Sequence, residues 1–334
     1  MLLTLMLAGC GGGGGGGETG SRPAHQRSQR GADARPPSRA RRAHSDKPAP
    51  VRLRYRSLYS LPAPLRDPAT AVLRDGRFVM LGGLDGADVS SAGIEVADGR
   101  RVLSTGSLPG PQHDAQAAAL GPRVYVFGGG YTTELDHILS WDPATGKVAQ
   151  VGTLAVPQSD VAVAQADGTA YVVGGFDGTT YLNTIVAWRP GSAPRVVARL
   201  PVGLRYAAVA VAGGGLLVIG GSTPAAASDA IYRFDLTTHA VRRIGTLPHP
   251  TTHGNATTLG QTVYLVGGRG DSLDSQTDAI YGIDPLTGRV RRAGRLPRPL
   301  SDAAAVTIGG VIVVAGGQSP AGVLASVGEL VPAP

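Results

Sequence analysis

Short apolar segments alternate with polar turn segments along the chain from residue 51 onward. Segments 124–127, 170–173 and 263–266 are four apolar residues long and rich in β-branched or aromatic side chains, which is typical of strands buried on both faces. Turn sequences such as Asp-Pro-Ala-Thr-Gly at 142–146 separate such segments, because proline and glycine supply the backbone angles of tight turns. No part of residues 51–334 keeps a helical period, so the pattern predicts an all-β domain.

The apolar segments belong to a repeat that is marked by a Gly-Gly doublet. The first glycines of the doublets are Gly82, Gly128, Gly174, Gly220, Gly267 and Gly316, spaced by 46, 46, 46, 47 and 49 residues. Each copy is interpreted as four short strands, a to d, with the doublet directly after strand b. Glycine tolerates positive φ and lets neighbouring backbone approach closely, so the doublet predicts a tight contact at this point.

The repeat resembles the kelch β-propeller family. Its marks here are the Gly-Gly doublet after an apolar strand, a Tyr or Trp in strand c such as Trp141, and a Leu-Pro pair before the next copy, such as Leu247-Pro248. The period is close to the ~50 residues of kelch repeats, in which four strands form one blade. The resemblance covers about residues 51–334 and implies six blades. The tryptophan usual in strand d is absent, since Val148, Arg243 and Arg292 stand near its place.

The two ends of the repeat region are complementary. The last copy has a strand a, a strand b and a strand c near 324–330, and then the chain ends without a strand d. Residues 53–60 match a strand d that lies before the first complete copy. We therefore predict that residues 53–60 pair with residues 325–330 as the outer strand of blade six, which removes a free sheet edge. Gly328 is expected to weaken strand c of this blade.

The first fifty residues divide into two segments. Residues 1–10 are a short apolar stretch ending in Leu7-Ala8-Gly9-Cys10, which resembles a bacterial lipoprotein signal. Cys10 is the only cysteine, and the resemblance implies that it carries the lipid. Residues 11–50 are rich in Gly, Arg and Pro and are expected to be a disordered linker. These expectations place a monomeric propeller, residues 51–334, outside the cytoplasm on a membrane anchor.

Polar residues recur at equivalent positions before strand a. In an a–b–c–d meander the d–a and b–c connections lie on one face, so these residues should surround one mouth of a central channel. The predicted ligand-binding residues are Asp67, His113, Asp114, Asp160, Arg205, Tyr206, His253 and Asp302. Arg205 and His253 are expected to face solvent. A second layer on the same face, after the doublets, includes Asp85, Tyr131, Asp177, Arg269, Asp271 and Gln318. The alternative is that the aspartates cap strand a or stabilise turns.

Two function classes remain open. The first is a tethered binding module for a glycan, peptide or protein. The second is a sugar enzyme similar to the kelch-type sialic acid mutarotases, in which Asp160, His113 and Arg205 would transfer protons. The copper oxidases of the superfamily use a Tyr–Cys cross-link, and residues 51–334 contain no cysteine, so that chemistry is excluded.

The charge distribution and the absence of certain motifs argue against several classes of partner. Most of the net charge of +7 lies in residues 18–50, so the repeat region lacks the basic face that nucleic-acid binding requires. No His/Cys/Asp spacing typical of a transition-metal site occurs, and no nucleotide-binding fingerprint is present. We therefore predict no cofactor, no metal site and no nucleic-acid partner, while four Asp and a His around one axis leave a hard cation in the channel open.

Overall fold

The computed structural model describes residues 50–333, and every regular element in that range is a β-strand. Six four-stranded antiparallel sheets account for all but one short hairpin. The first strands of consecutive sheets contact one another in order, and that of the sixth sheet contacts that of the first. The sheets therefore form a closed ring of six blades, as the repeat predicts. Cys10 and residues 11–49 of the linker lie outside the described residues.

The strand bounds follow the predicted repeat closely. The chain begins with β1 (Leu53–Ser60), and blade one comprises β2 (Ala69–Val72), β3 (Phe78–Leu81), β4 (Gly93–Ala97) and β5 (Val102–Ser107). Blade two comprises β6 (Gln116–Leu120), β7 (Arg123–Phe127), β8 (His137–Trp141) and β9 (Val148–Thr153). Blade three comprises β10 (Ala162–Ala166), β11 (Thr169–Val173), β12 (Thr184–Trp188) and β13 (Arg195–Arg199).

The remaining blades repeat this order. Blade four comprises β14 (Ala208–Ala212), β15 (Gly215–Ile219), β16 (Ala230–Asp235) and β17 (Val241–Thr246). Blade five comprises β18 (Asn255–Leu259), β19 (Thr262–Val266), β20 (Ala279–Ile283) and β21 (Val290–Arg295). Blade six begins with β22 (Ala304–Ile308) and β23 (Val311–Ala315), continues through the hairpin of β24 (Gln318–Ser319) and β25 (Gly322–Val323) to β26 (Ser326–Pro332), and is completed by β1.

The N-terminal strand closes the ring. Strand β1 pairs antiparallel with β26, from Leu53 opposite Pro332 to Ser60 opposite Ser326, which confirms the predicted closure. Gly328 in β26 packs directly against Tyr55, because a Cβ at this position would overlap the Tyr55 ring. The glycine leaves space for that ring, so its place in the strand has a packing reason that the sequence pattern did not show.

The core is divided among the blade interfaces. Six clusters of buried apolar side chains each join two neighbouring blades. Trp188 of strand c, only 1% exposed, packs edge-on against Tyr125 and Phe127 of the preceding blade, at centroid distances of 4.9 and 5.4 Å. A strand-c aromatic residue thus fills the interface between blades two and three.

The Gly-Gly doublets hold each blade against the next one. In every doublet the second glycine donates its N–H, over 2.8–2.9 Å, to a carbonyl in the d–a loop of the following blade. For Gly174-Gly175 that acceptor is Leu204 O. Gly174 has φ +63°, and a Cβ there would overlap the same carbonyl oxygen. The doublet is therefore required by positive φ and by an inter-blade approach that leaves no space for a side chain.

Candidate functional site

Six residues form what we call the mouth ring, one from each blade at the residue position before strand a that the sequence singled out. They are Asp67, Asp114, Asp160, Tyr206, His253 and Asp302, and all six have positive φ between 49° and 59°. Aspartate and histidine are enriched among the non-glycine residues that adopt this conformation. The N–H of Asp160 donates to Asp114 O at 2.9 Å, and four further bonds of this kind link neighbouring ring residues. The ring backbone thus ties the blades together around the axis.

The ring side chains also partner one another. Tyr206 Oη donates to Asp114 Oδ2 at 3.1 Å, which joins blade four to blade two across the end of the channel. The carboxyl group of Asp67 lies beside that of Asp302, and the carboxyl group of Asp114 lies beside that of Asp160. Burial raises the pKa of Asp67 and of Asp114 well above the usual range, and the neighbouring carboxylate of each pair raises it further. A shared proton lets two buried carboxyl groups lie side by side.

Cationic and neutral donors surround the acids of the ring. Arg205 Nε forms a salt bridge with Asp160, whose side chain is only 1% exposed. Arg66 Nη1 lies 3.2 Å from Asp67 Oδ2, and His113 Nε2 lies 3.6 Å from Asp114 Oδ2. His113 is held on its other side by Ser90 Oγ, 2.8 Å from Nδ1. Three of the predicted ligand-binding acids are therefore engaged by neighbouring basic or imidazole side chains.

His253 occupies an enclosed position. Its side chain is 8% exposed and stacks on Tyr206, with ring centroids 3.7 Å apart and an interplanar angle of 25°. The expectation that His253 faces solvent is therefore wrong, because the neighbouring ring residue covers it. Burial lowers its pKa to about 2, and the nearby Arg269 contributes to the shift. His253 is thus a neutral imidazole at physiological pH.

Arg205 is partly exposed and is fixed by aromatic rings. Its side chain is 24% exposed, and its guanidinium carbon lies 4.4 Å from the centroid of Phe176 and 5.2 Å from that of Tyr181. Cation–π contacts of this kind hold a guanidinium in place while leaving part of it accessible. Arg205 therefore fits the predicted exposure better than His253 does.

Two cavities adjoin the mouth ring. The central channel, about 780 Å³, is lined by the a strands and ends at the ring. A second cavity of about 410 Å³, which we call the cleft, lies beside the ring on the face of the d–a and b–c loops of blades four and five. Its lining residues are Tyr181, Arg205, Tyr206, Ser222, Thr223, Pro224, Ala225, Ala226, Thr252, His253, Arg269 and Asp271.

Most of the predicted residues line one or both of these cavities. Arg205 lines the cleft, and the four ring aspartates line the end of the channel. Tyr206 and His253 line both cavities. His113 lines neither. The sequence did not single out Ser222 or Tyr181. Ser222 pairs as an isolated bridge with Arg205, so the position directly after the Gly-Gly doublet was the available signal.

Arg269 is the cation of the cleft that has no carboxylate partner. Its Nη2 donates to His253 Nε2 at 3.0 Å, and Nη1 makes long contacts of 3.4–3.5 Å to backbone carbonyls. No carboxylate oxygen of residues 50–333 lies within 4.0 Å of its guanidinium. Its Nε is buried without a hydrogen-bond partner. The charge of Arg269 is therefore available to a ligand.

Among residues 50–333, no three His, Cys, Asp or Glu side chains are grouped so that they could hold a metal ion. The described part of the chain also contains no helix with the length and apolar character needed to cross a bilayer.

Comparisons with known proteins agree with this architecture. Residues 203–248 match the family model of the Kelch motif. The chain is 30% identical over 145 residues to Kelch-like protein 25 of Xenopus tropicalis, a match that covers 43% of this chain and 24% of that protein. It therefore spans about a quarter of that relative's length. The solved structure titled "Structure of YjhT" has a TM-score of 0.70 at 17% identity, covering 81% of this chain and 96% of that one, which shows a shared fold. With six Gly-Gly repeats and six four-stranded blades, the chain is a six-bladed β-propeller that shares the fold of this solved structure and matches the Kelch motif at residues 203–248.

Proposed function

We propose that the protein is a binding module whose ligand, a glycan or a peptide segment, enters the cleft between blades four and five. The observation that carries this proposal is Arg269, a guanidinium in the wall of a 410 Å³ cavity with no carboxylate partner among residues 50–333. Binding sites are typically concave, with a few placed polar groups beside apolar or aromatic surface. The stacked rings of Tyr206 and His253 supply that aromatic surface here.

The residue type at the mouth-ring position changes in the two blades that border the cleft. Four blades place aspartate in the mouth ring, whereas blades four and five place Tyr206 and His253 there, and these two residues border the cleft. The backbone of the ring position has positive φ in all six blades, and five of its N–H groups bond the neighbouring ring residue, so closure does not depend on the ring side chains. The change of side chain at two adjacent blades is therefore explained better by recognition than by closure.

Blocking the cleft tests the proposal. Ala226 is an exposed residue of the cleft wall, and Ala87 is an exposed alanine in the corresponding loop of blade one, outside the cleft. We expect Ala226→Trp to abolish binding to an array of neutral and acidic glycans and short peptides, because the indole would occupy the cavity. Ala87→Trp should bind as the wild type does. If the array signal survives in Ala226→Trp, the cleft is not the binding site.

The sugar-enzyme alternative receives less support from the geometry. Of its three proton-transfer candidates, only Arg205 lines the cleft. The Asp160 carboxyl group is 1% exposed beneath Arg205, and His113 is bound to Ser90. A catalytic acid or base must come within hydrogen-bond reach of the substrate. NMR exchange spectroscopy of N-acetylneuraminic acid would favour the enzyme if the protein accelerated anomer exchange and Arg205→Gln did not.

A membrane anchor at Cys10 is the second part of the proposal. The motive is the lone cysteine after Leu7-Ala8-Gly9, which lies outside the described residues. The described chain starts at Pro50, and Val51 O accepts a hydrogen bond from Tyr264 Oη at 3.1 Å. Strand β1 then runs towards the loop face that carries the cleft, so Pro50 enters the propeller at the opposite face.

Cell fractionation tests the anchor. We expect the wild-type protein in the membrane fraction and Cys10→Ala in the soluble fraction, because the thiol is the site of lipid attachment. Ser21→Ala, a substitution in the linker, serves as the matched control and should fractionate as the wild type does. Equal recovery of the wild type and Cys10→Ala in the soluble fraction would rule out the anchor.

A further inference from the structure

A chain of hydrogen bonds links Arg269 to the opposite wall of the cleft. Arg269 Nη2 lies 3.0 Å from His253 Nε2, His253 Nδ1 lies 3.0 Å from Thr252 Oγ1, and Thr252 Oγ1 lies 2.8 Å from Ser222 Oγ. All four residues line the cleft. This series of hydrogen bonds therefore determines which hydrogen atoms the cleft offers to a ligand.

The direction of every bond in this chain follows from its first member. A guanidinium only donates, so His253 Nε2 accepts and its hydrogen is on Nδ1. Nδ1–H then donates to Thr252 Oγ1, and Thr252 donates its own hydrogen to Ser222 Oγ. The hydroxyl hydrogen of Ser222 has no acceptor among the hydrogen bonds of residues 50–333. The series of hydrogen bonds thus offers a hydroxyl donor at Ser222 and a guanidinium at Arg269.

The remaining polar groups of the cleft are mostly donors or already engaged. Arg205 adds a second guanidinium, whose charge is offset by Asp160. Asp271, the one carboxylate in the lining, accepts the backbone N–H of Ala227 at 2.5 Å. The cleft therefore has unused donors, a guanidinium at Arg269 with no carboxylate oxygen of residues 50–333 within 4.0 Å, and one carboxylate, Asp271, that would repel a highly charged anion.

We infer that the ligand of the cleft carries a carboxylate group, held by Arg269 and Ser222 with Arg205 beside it. This inference rests on the proposed binding function and names its ligand class. A carboxylate has two coplanar acceptor oxygens, which match the parallel N–H groups of a guanidinium. Because Asp160 offsets Arg205 and Asp271 also lies in the lining, the cleft suits a monoanion better than a phosphate dianion. The Tyr206–His253 stack would lie against the ring or backbone that carries the carboxylate.

Calorimetric titration of the full-length protein with D-glucuronate, D-glucose and inorganic phosphate tests the inference. The two sugars differ only at C6, where glucuronate has a carboxylate and glucose has a hydroxymethyl group. Glucuronate should therefore bind at least about tenfold more tightly than glucose. Arg269→Gln should remove that difference, and Ser222→Ala should weaken glucuronate binding about threefold. Arg291→Gln, an exposed arginine on strand β21 of the same blade, is the control and should change nothing.

The outcomes separate this inference from the proposed function. If glucose and glucuronate bind equally tightly and Ala226→Trp blocks both, the inference of a carboxylate ligand is wrong, but the proposed binding function of the cleft is supported. Tighter binding of phosphate than of glucuronate would also overturn the inference. Failure of glucuronate to bind up to about 100 mM, or unchanged binding in a folded Arg269→Gln variant, would contradict it outright.

Discussion

Deletion of residues 51–61 should prevent the propeller from folding as a cooperative unit. The deletion removes strand β1, uncovers β26 along its whole length and takes away Leu53 and Leu61, which are each 4% exposed. It also removes the bond from Leu61 N–H to Ala325 O at 2.7 Å. We expect a loss of more than about 5 kcal/mol in the free energy of unfolding, comparable with the whole stability of a marginal domain. An uncovered strand edge should also promote association between chains.

The matched control for this deletion is the removal of residues 11–48, which leaves β1 and its pairing with β26 in place. Urea denaturation followed by circular dichroism, together with size-exclusion chromatography, compares the two variants. The shorter linker should keep the wild-type midpoint, whereas deletion of 51–61 should give a broad, early transition or aggregated protein. Equal midpoints would show that β1 is not needed to close the ring.

Gly174→Ala should strongly destabilise the contact between blades three and four. The position has φ +63°, and the new Cβ would overlap Leu204 O of the next blade, so either the blade contact or the backbone must move. We expect a loss of about 4 kcal/mol or more in the free energy of unfolding. Gly168→Ala is the control, since Gly168 has φ +72° but no atom within 4 Å of an added Cβ.

The control should cost only the conformational penalty of positive φ, about 1–2 kcal/mol. The difference between the two variants, measured by urea denaturation, isolates the steric part of the inter-blade contact. Equal losses would mean that the doublet is required for backbone conformation alone, and that the close approach of neighbouring blades can relax without cost.

The architecture followed from sequence because its causes are local and repeated. The doublets predicted both a positive φ and a close approach, and Gly174 shows both. The match of residues 53–60 to a missing strand d predicted the pairing of β1 with β26. Each of these inferences needed only the comparison of one copy of the repeat with another.

The sequence could predict on which face of the propeller the candidate site lies, but not how its side chains are arranged. Register placed the mouth ring correctly at one end of the channel, but it could not show that Tyr206 reaches Asp114, 92 residues earlier, or that the aspartates pair with one another. Such contacts depend on side-chain conformations across the ring axis, which no local pattern encodes. For the same reason the burial of His253 beneath Tyr206 was missed. The sequence placed Arg269 on the correct face, but the cleft that it lines together with Ser222 became visible only in three dimensions.

The central claim is that ligand is bound in the cleft between blades four and five, beside the mouth ring and outside the channel. A crystal structure of the protein with whichever array compound binds, or with D-glucuronate, tests it most directly. The account predicts ligand density in the cleft, in contact with Arg269 and against the Tyr206–His253 stack. Density inside the central channel, or on the face where Pro50 enters the propeller, with an empty cleft would contradict it.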